Sequence, residues 1–123
     1  MRREFDFFDN EVITGELDAL PSKDAAKLIA LMNHYELAGL GDPAPAQIDD
    51  YGEGIKRIRH IKPDYQGRGL FYVGESSAGY QKLWLLTVYK KESQDVPKHI
   101  LVRARERKAL HEAMLKAEGE KRR

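Results

Sequence analysis

The chain has 123 residues and no cysteine, so it can form one domain with its own core, and disulfides, thiolate metal sites and a cysteine nucleophile are excluded. Its net charge of +1 conceals an asymmetry, because residues 1–54 hold 4 Lys and Arg against 12 Asp and Glu, whereas residues 55–123 hold 17 against 8. A basic working surface is one interpretation of this asymmetry, and the ordinary charge of solvated helix faces is the other.

The chain begins with a charged segment, MRREFDFF, which lacks the apolar stretch of a signal peptide. The longest strongly apolar run, residues 83–88, is far shorter than the roughly 20 residues that a membrane span requires. The sequence therefore predicts a cytoplasmic protein that makes no use of a membrane.

The first third of the chain predicts a short strand and two helices. Residues 3–8 could form the strand, Asp9 is a suitable N-cap for the first helix, and Ser22 is one for the second. Gly39 or Gly41 would end the second helix. The apolar residues of the two helices are spaced by three and four: Val12, Ile13, Leu17 and Leu20, then Ala25, Leu28, Ile29, Met32 and Tyr35.

The middle of the chain predicts a loop and then an antiparallel meander. Glycine, proline and aspartate recur throughout residues 41–54, and these residue types favour a loop. The LWLLTV segment of the last strand lacks alternation, which is typical of a central strand covered on both faces. Short turn-rich breaks separate the three predicted strands, at residues 55–62, 69–75 and 80–90.

A final helix follows, with Asp95 as its predicted cap and Pro97 near its first turn. Its predicted apolar side consists of Ile100, Leu101, Ala104, Leu110, Met114 and Leu115. The predicted fold class is α+β, with an N-terminal helical hairpin packed on a mostly antiparallel sheet of three to four strands, a C-terminal helix, and all helices on one face. One domain would span residues 1–118, followed by a flexible basic tail at residues 119–123.

The first strand of the meander carries a cluster of cations. Side chains alternate along a strand, so Arg57 and Arg59 share one face, while Lys56, His60 and Lys62 share the other. Burying unpaired cations is costly, so at least one face meets solvent or an anionic partner such as the phosphates of a nucleic acid. An edge strand protected from aggregation by its charges is the alternative explanation.

Two further basic groups stand out. Tyr89, Lys90 and Lys91 follow the apolar strand, where they would reach a rim of the sheet, a common place for functional sites. On the last helix, Arg103 and Arg107 are four residues apart and share a face, although a solvated helix surface with Glu106 as a partner is the favoured explanation. The glycines have turn spacing and the histidines lack metal-ligand spacing, so neither a glycine-rich phosphate loop nor a metal site is predicted.

The sequence resembles the RelE/HigB superfamily of toxin–antitoxin toxins at IKRIRHI, GRGLFYVGE, LWLLTVYKKES and VPKHILVRARERKAL, and it is most similar to the phage-derived Gp49-like, HigB-type branch. In this resemblance, IKRIR corresponds to that branch's ELR-like strand, GLFYV to its YRVFY-like strand, and LLTVYKKESQDVP to its LLhxFxKKtxktP segment. Ala104 and Arg107 match the helix pattern eixxAxxR. The resemblance covers nearly the whole chain, and the KKxxxxxP element is its most specific part.

The resemblance implies a RelE-like fold and an endoribonuclease, or mRNA interferase, that cleaves mRNA on the ribosome without a metal or other cofactor, until a cognate antitoxin protein silences it. In that reaction the RNA 2′-hydroxyl attacks the adjacent phosphate, and the protein positions the RNA, stabilises negative charge and moves protons. The predicted catalytic residues are Arg59, Arg68, Tyr89, Lys90 and Lys91. The predicted RNA-binding residues are Lys56, Arg57, His60, Lys62, Arg103 and Arg107.

One position departs from the family pattern, because the arginine of YRVFY falls on Gly69, with Arg68 beside it. A one-residue bulge at Gly67 or Gly69 would return Arg68 to the site; otherwise an expected cation is missing. Two other functions therefore stay open. One is a ParE-like toxin of the same fold directed at gyrase, and the other is a non-catalytic module that binds RNA or a partner protein.

Overall fold

The computed structural model describes residues 2–38, 45–62 and 64–121, so the predicted helix terminators Gly39 and Gly41 lie outside the described residues. The fold is mixed α+β, and the described part contains three helices and a five-stranded sheet. The elements in chain order are β1 (Arg2–Phe7), α1 (Asn10–Ala19), α2 (Ser22–Ala38), β2 (Ala46–Asp50), β3 (Ile55–His60), β4 (Gly67–Ser77), β5 (Tyr80–Lys90) and α3 (Lys98–Lys121).

The sheet has the strand order β1-β5-β4-β3-β2. β1 runs parallel to β5, and the other neighbours are antiparallel, which confirms a mostly antiparallel sheet. The expected number of three to four strands is too low. Strand β1 precedes both helices, which confirms the predicted strand at residues 3–8, so the description of the helical hairpin as N-terminal is wrong.

β5 is apolar on both faces, as its lack of alternation predicts. Leu83 and Leu85 pack into a core cluster with α1 and α2, whereas Leu86 packs into a second cluster with α3. Both clusters contain fully buried side chains. Because β5 must bury both of its faces, α1 and α2 cover one side of the sheet and α3 covers the other, and the expectation of helices on one face only is wrong.

Strand β2 lies inside the segment for which the sequence predicts a loop. It pairs with β3 through a turn in which Gly52, Glu53 and Gly54 have φ angles of 81°, 55° and 79°. Its own sequence, AQIDD, is short and mostly polar, so only the pairing with β3 reveals it as a strand. β3 therefore has a neighbour on each side, and edge protection does not explain its charges.

The helices after β1 follow the predicted pattern with two differences. The carboxylate of Asp9 accepts a backbone N–H of α1, which confirms this residue as the N-cap. Ser22 is instead the first helical residue of α2, and the carbonyl of Pro21 accepts a hydrogen bond from the first turn. In α2, Ile29 is 43% exposed while Leu31 is buried, so the buried stripe differs from the predicted one.

The last helix differs more from its prediction. α3 begins at Lys98, and the carbonyl of Pro97 accepts the N–H groups of its first turn, so Asp95 is not the cap. Ile100 and Ala104 are buried as expected, but three apolar residues of the predicted stripe are exposed: Leu110, Met114 and Leu115. None of the helices in the described ranges is long and apolar enough to cross a membrane.

Candidate functional site

An open cleft of about 370 Å³ lies at one end of the sheet. It forms where β3 ends, β4 begins and β5 ends, because antiparallel neighbours bring these termini together. The segment between β5 and α3 closes one side. The lining residues are Arg57 and Arg59 from β3, Arg68 from β4, and Lys91, Gln94 and Asp95 from the closing segment.

Arg57 and Arg59 are held by one carboxylate, that of Asp49 on β2. Asp49 Oδ2 accepts hydrogen bonds from Arg57 Nε and Nη2 at 3.1 and 2.9 Å and from Arg59 Nε at 3.2 Å. Burial alone would raise the pKa of Asp49, but hydrogen bonds from Arg57 and Gln47 and the charges of both arginines hold it below its usual range. Arg57 Nη1 also donates to the Gln94 carbonyl at 2.9 Å, which fixes the closing segment over the cleft.

Arg68 is the most buried cation of the cleft lining, with 3% of its surface exposed. Its guanidinium donates to the backbone carbonyls of Tyr65 and Gly67, and no carboxylate of the described residues lies within ion-pair distance of it. Burial, followed by the charge of Arg57, lowers the pKa of Arg68, although a guanidinium stays protonated at physiological pH. A buried cation without a counter-ion is costly, so this position favours a bound anion.

Tyr89 lies directly opposite Arg68 across the β4–β5 pair, and the two side chains share one face of the sheet. Its hydroxyl is buried and has no hydrogen-bond partner among the described residues. Burial raises the pKa of Tyr89, and the neighbouring Arg57 only partly opposes this. At neutral pH the phenol is therefore a proton donor and not a base.

The two adjacent lysines, Lys90 and Lys91, lie on different sides of the sheet. Lys91 lines the cleft, and its backbone N–H donates to the Gln66 carbonyl at 2.7 Å. Lys90 is exposed and lies opposite Gly67, on the sheet face that carries α1 and α2. Of the predicted catalytic residues, the structure thus brings Arg59, Arg68, Tyr89 and Lys91 to one side of the sheet and leaves Lys90 on the other.

The structure also explains why position 69, where the family pattern has an arginine, is a glycine, and why the arginine is Arg68. A Cβ atom at Gly69 would lie 3.0 Å from Leu85 Cδ1 and 3.3 Å from Ile58 Cγ2, inside the core under α1 and α2. Strand pairing is regular from Gly67 to Leu70, and the register shift comes only after Leu70, so no bulge occurs where one was predicted. Arg68 faces the cleft through ordinary strand alternation.

Comparison with protein families gives one match. The model for phage-derived Gp49-like proteins matches residues 15–109, which include every strand of the cleft. The chain belongs to this family. Gp49-like proteins are part of the RelE/HigB-like toxin group and are associated with toxin–antitoxin systems, which implies an antitoxin partner. A search of curated proteins found no match.

Two arginines predicted to bind RNA do not line the cleft of this Gp49-like protein. Arg107 Nη1 donates to Glu16 Oε2 at 2.6 Å and to the Leu86 carbonyl at 2.9 Å, and Arg103 lies 3.8 Å from the same carboxylate. Glu16 also accepts hydrogen bonds from Thr87 Oγ1 and from the backbone N–H of Val88. Pairing with β1 ends at Leu85. Beyond it, Glu16 and Arg107 form hydrogen bonds with backbone groups of β5 that have no strand partner on this side.

The remaining predicted RNA-binding residues occupy two places. Lys56 pairs with Asp50 at 3.6 Å, away from the cleft lining. His60 is the last residue of β3 and Lys62 follows the strand, and neither residue belongs to the cleft lining. Sequence reasoning missed Asp49 because it lies in the unrecognised strand β2, and its only signal was its position shortly before the Gly52 turn. No His, Cys, Asp and Glu group of the described ranges is arranged to hold a metal ion.

Proposed function

We propose that this Gp49-like protein is the toxin of a type II toxin–antitoxin module, that it cleaves mRNA as a ribosome-dependent endoribonuclease, and that a cognate antitoxin silences it. The observation that carries the proposal is the buried, unpaired Arg68 at an open cleft shared with Arg59 and Lys91. A phosphodiester supplies the anion that Arg68 lacks. The cleft is open, so it can admit a polymer passing through it.

The proposed reaction needs no group beyond the RNA and the protein. The 2′-hydroxyl oxygen bonds to phosphorus, the bond from phosphorus to the 5′-oxygen breaks, and the products are a 2′,3′-cyclic phosphate and a 5′-hydroxyl. The proton lost by the 2′-hydroxyl is balanced by the proton gained at the 5′-oxygen. Negative charge builds up on the two non-bridging oxygens in the transition state, where fixed cations stabilise it most.

In this reaction Arg59 and Arg68 would bind the non-bridging oxygens, and Lys91 would hold the adjoining backbone. Arg59 is pre-oriented by Asp49, and Arg68 is pre-oriented by the two carbonyls that it contacts. The Tyr89 hydroxyl stays protonated, so it could donate a hydrogen bond or a proton to the departing 5′-oxygen.

Dependence on the ribosome agrees with the composition of the cleft. Its described lining contains four cations, one glutamine and one carboxylate, and no histidine that would titrate near neutral pH. Such a site supplies charge stabilisation but little acid–base catalysis. Holding the mRNA so that the 2′-oxygen is aligned with the scissile bond is then the contribution of the ribosome.

The test is mRNA cleavage in a reconstituted translation system, with and without ribosomes. Wild-type protein is expected to cleave only when ribosomes are present. Arg68→Ala and Lys91→Ala should each lower the cleavage rate by about 100-fold, as removal of one charge-stabilising group typically does. Lys90→Ala, on the other face, should lower it less. Arg105→Ala removes an exposed α3 cation paired with Glu53 and is the matched control that should cleave normally.

Folded Arg68→Ala protein that cleaves at the wild-type rate would remove the basis of the proposal. Absence of cleavage by the wild-type protein, in a system that translates normally, would also reject it. DNA damage on expression would then favour a gyrase-directed toxin, and salt-sensitive RNA binding without cleavage would favour a binding module.

A further inference from the structure

A second cluster lies beside the cleft, on the sheet face that carries α1 and α2. Its centre is Tyr65, in the loop between β3 and β4, and its ring is half-buried. The ring of His60 contacts it nearly edge-on, with 4.3 Å between ring centroids, and Lys27 Nζ of α2 lies 5.2 Å from the Tyr65 centroid. A loop tyrosine is thus fixed in orientation by residues of a strand and a helix.

The backbone of this loop forms part of the wall of the cleft. The carbonyl of Tyr65 accepts a hydrogen bond from the Arg68 guanidinium, and the carbonyl of Gln66 accepts one from the N–H of Lys91. Arg68 and Lys91 both line the cleft. The side chain of Tyr65 and the proposed phosphate site are therefore attached to the same short loop.

The surroundings of Tyr65 are positive. No carboxylate of the described residues lies within ion-pair distance of Lys27 or Lys62, while Asp64 next to the tyrosine is exposed. His60 Nδ1 accepts the backbone N–H of Lys62 at 2.9 Å, which places the proton of the neutral ring on Nε2. Burial, followed by the charges of Lys62, Lys27 and Arg68, lowers the pKa of His60, so this ring is neutral near pH 7.

We infer that Tyr65 is a stacking platform for an unpaired mRNA base that flanks the cleaved phosphodiester, with Lys27 and Lys62 contacting the phosphates on either side of that base. An aromatic ring among unpaired cations, next to a phosphate-binding cleft, is the combination used to hold single-stranded nucleic acid. The inference rests on the proposed function for the identity of the ligand. Every base has a π-face, so the platform would hold the strand in place without strict sequence preference.

The test uses an RNA octamer with 2′-O-methyl groups, which cannot be cleaved by 2′-oxygen attack, and with one 2-aminopurine whose fluorescence falls when it stacks on a ring. The 2-aminopurine is moved through the octamer one position at a time. With wild-type protein, quenching is expected at one position. Tyr65→Phe should keep the quenching, whereas Tyr65→Leu should abolish it and weaken binding by roughly 5- to 100-fold.

Leucine keeps an apolar side chain but has no π-face, so Tyr65→Leu, compared with Tyr65→Phe, tests stacking. Tyr80→Leu, at the opposite end of β5, removes another half-buried tyrosine and should bind and quench as the wild type does. Thermal unfolding of each variant checks that the fold is intact.

Equal quenching by folded Tyr65→Leu and wild-type protein would overturn the inference, and so would equal loss in Tyr80→Leu. These outcomes are separable from failure of the proposed function. If the wild type cleaves mRNA but quenching does not depend on Tyr65, only the stacking site is rejected. If the wild type never cleaves but quenching requires an aromatic ring at position 65, the stacking site stands and the nuclease is rejected.

Discussion

Replacing Arg107 by alanine is expected to reduce stability and to leave RNA binding unchanged, although the sequence pattern places this residue on a basic helix face. The side chain is 21% exposed, and its Nη1 makes hydrogen bonds to Glu16 and to the Leu86 carbonyl at 2.6 and 2.9 Å. One bond joins α3 to the unpaired edge of β5, and the other joins it to Glu16 of α1, which itself accepts hydrogen bonds from that edge. Loss of Arg107 would therefore loosen the attachment of α3 to the sheet.

The magnitude follows from the two bonds that are lost. A hydrogen bond that involves a charged group contributes about 1.5–3 kcal/mol, and partial exposure and the remaining partners of Glu16 reduce the total. We expect the free energy of unfolding to fall by about 2–4 kcal/mol on Arg107→Ala. For a domain of this size, that corresponds to a melting temperature lower by roughly 6–16 °C.

Arg103→Ala is the matched control, because this arginine is 40% exposed and lies 3.8 Å from the same Glu16 carboxylate. Arg103→Ala should lower the free energy of unfolding by about 0–1 kcal/mol. The assay is urea unfolding of both variants at one pH, with the midpoint compared at unchanged slope, together with binding of the RNA octamer. An Arg107→Ala protein as stable as the wild type, but with weaker RNA binding, would refute the structural role.

Two further predictions test the core. Gly69→Ala places a methyl group 3.0 Å from Leu85 Cδ1 and should lower the free energy of unfolding by about 1–3 kcal/mol. Gly15→Ala, in open space on α1, should raise it by about 0.5–1 kcal/mol. An unchanged urea midpoint for Gly69→Ala would contradict the tight packing around this glycine. Nδ1 of buried His111 and the Tyr72 hydroxyl share a hydrogen bond. Burial raises the pKa of Tyr72 to about 12 and lowers the pKa of His111 below its usual 6.5. The unfolded chain then binds a proton first as pH falls below about 6.5, so stability should decrease from there toward the lower folded pKa, by at most about 1.4 kcal/mol per pH unit. His111→Gln should lose that part of the slope, and an unchanged slope in urea unfolding at pH 7 and 5.5 would show that His111 does not contribute to it.

The sequence by itself determined the local elements other than β2, and the chemical character of the site. Apolar spacing marked the helices, and the unbroken LWLLTV run marked a strand buried on both faces, because periodicity reflects burial directly. Alternation placed Arg57 and Arg59 on one face, and the structure puts both in the cleft. The family resemblance was likewise readable from the strand motifs, and the match over residues 15–109 confirms the Gp49-like family.

Only the tertiary structure decided which charges face the cleft and which hold the fold together. Strand β2, with the carboxylate of Asp49, becomes a strand by pairing with β3, and its own five residues carry no such signal. Lys90 and Lys91 are adjacent in the sequence, but Lys90 ends β5 on the face that carries α1 and α2, whereas Lys91 begins the closing segment and lines the cleft. In the sequence, Arg107 cannot be distinguished from a surface cation. In the structure, β1 ends opposite Leu85, so the Leu86 carbonyl has no strand partner on this edge, and Arg107 donates to it. A charged residue has the same appearance in a sequence whether it contacts solvent, a carboxylate or a ligand, and only the packing of distant elements separates these environments.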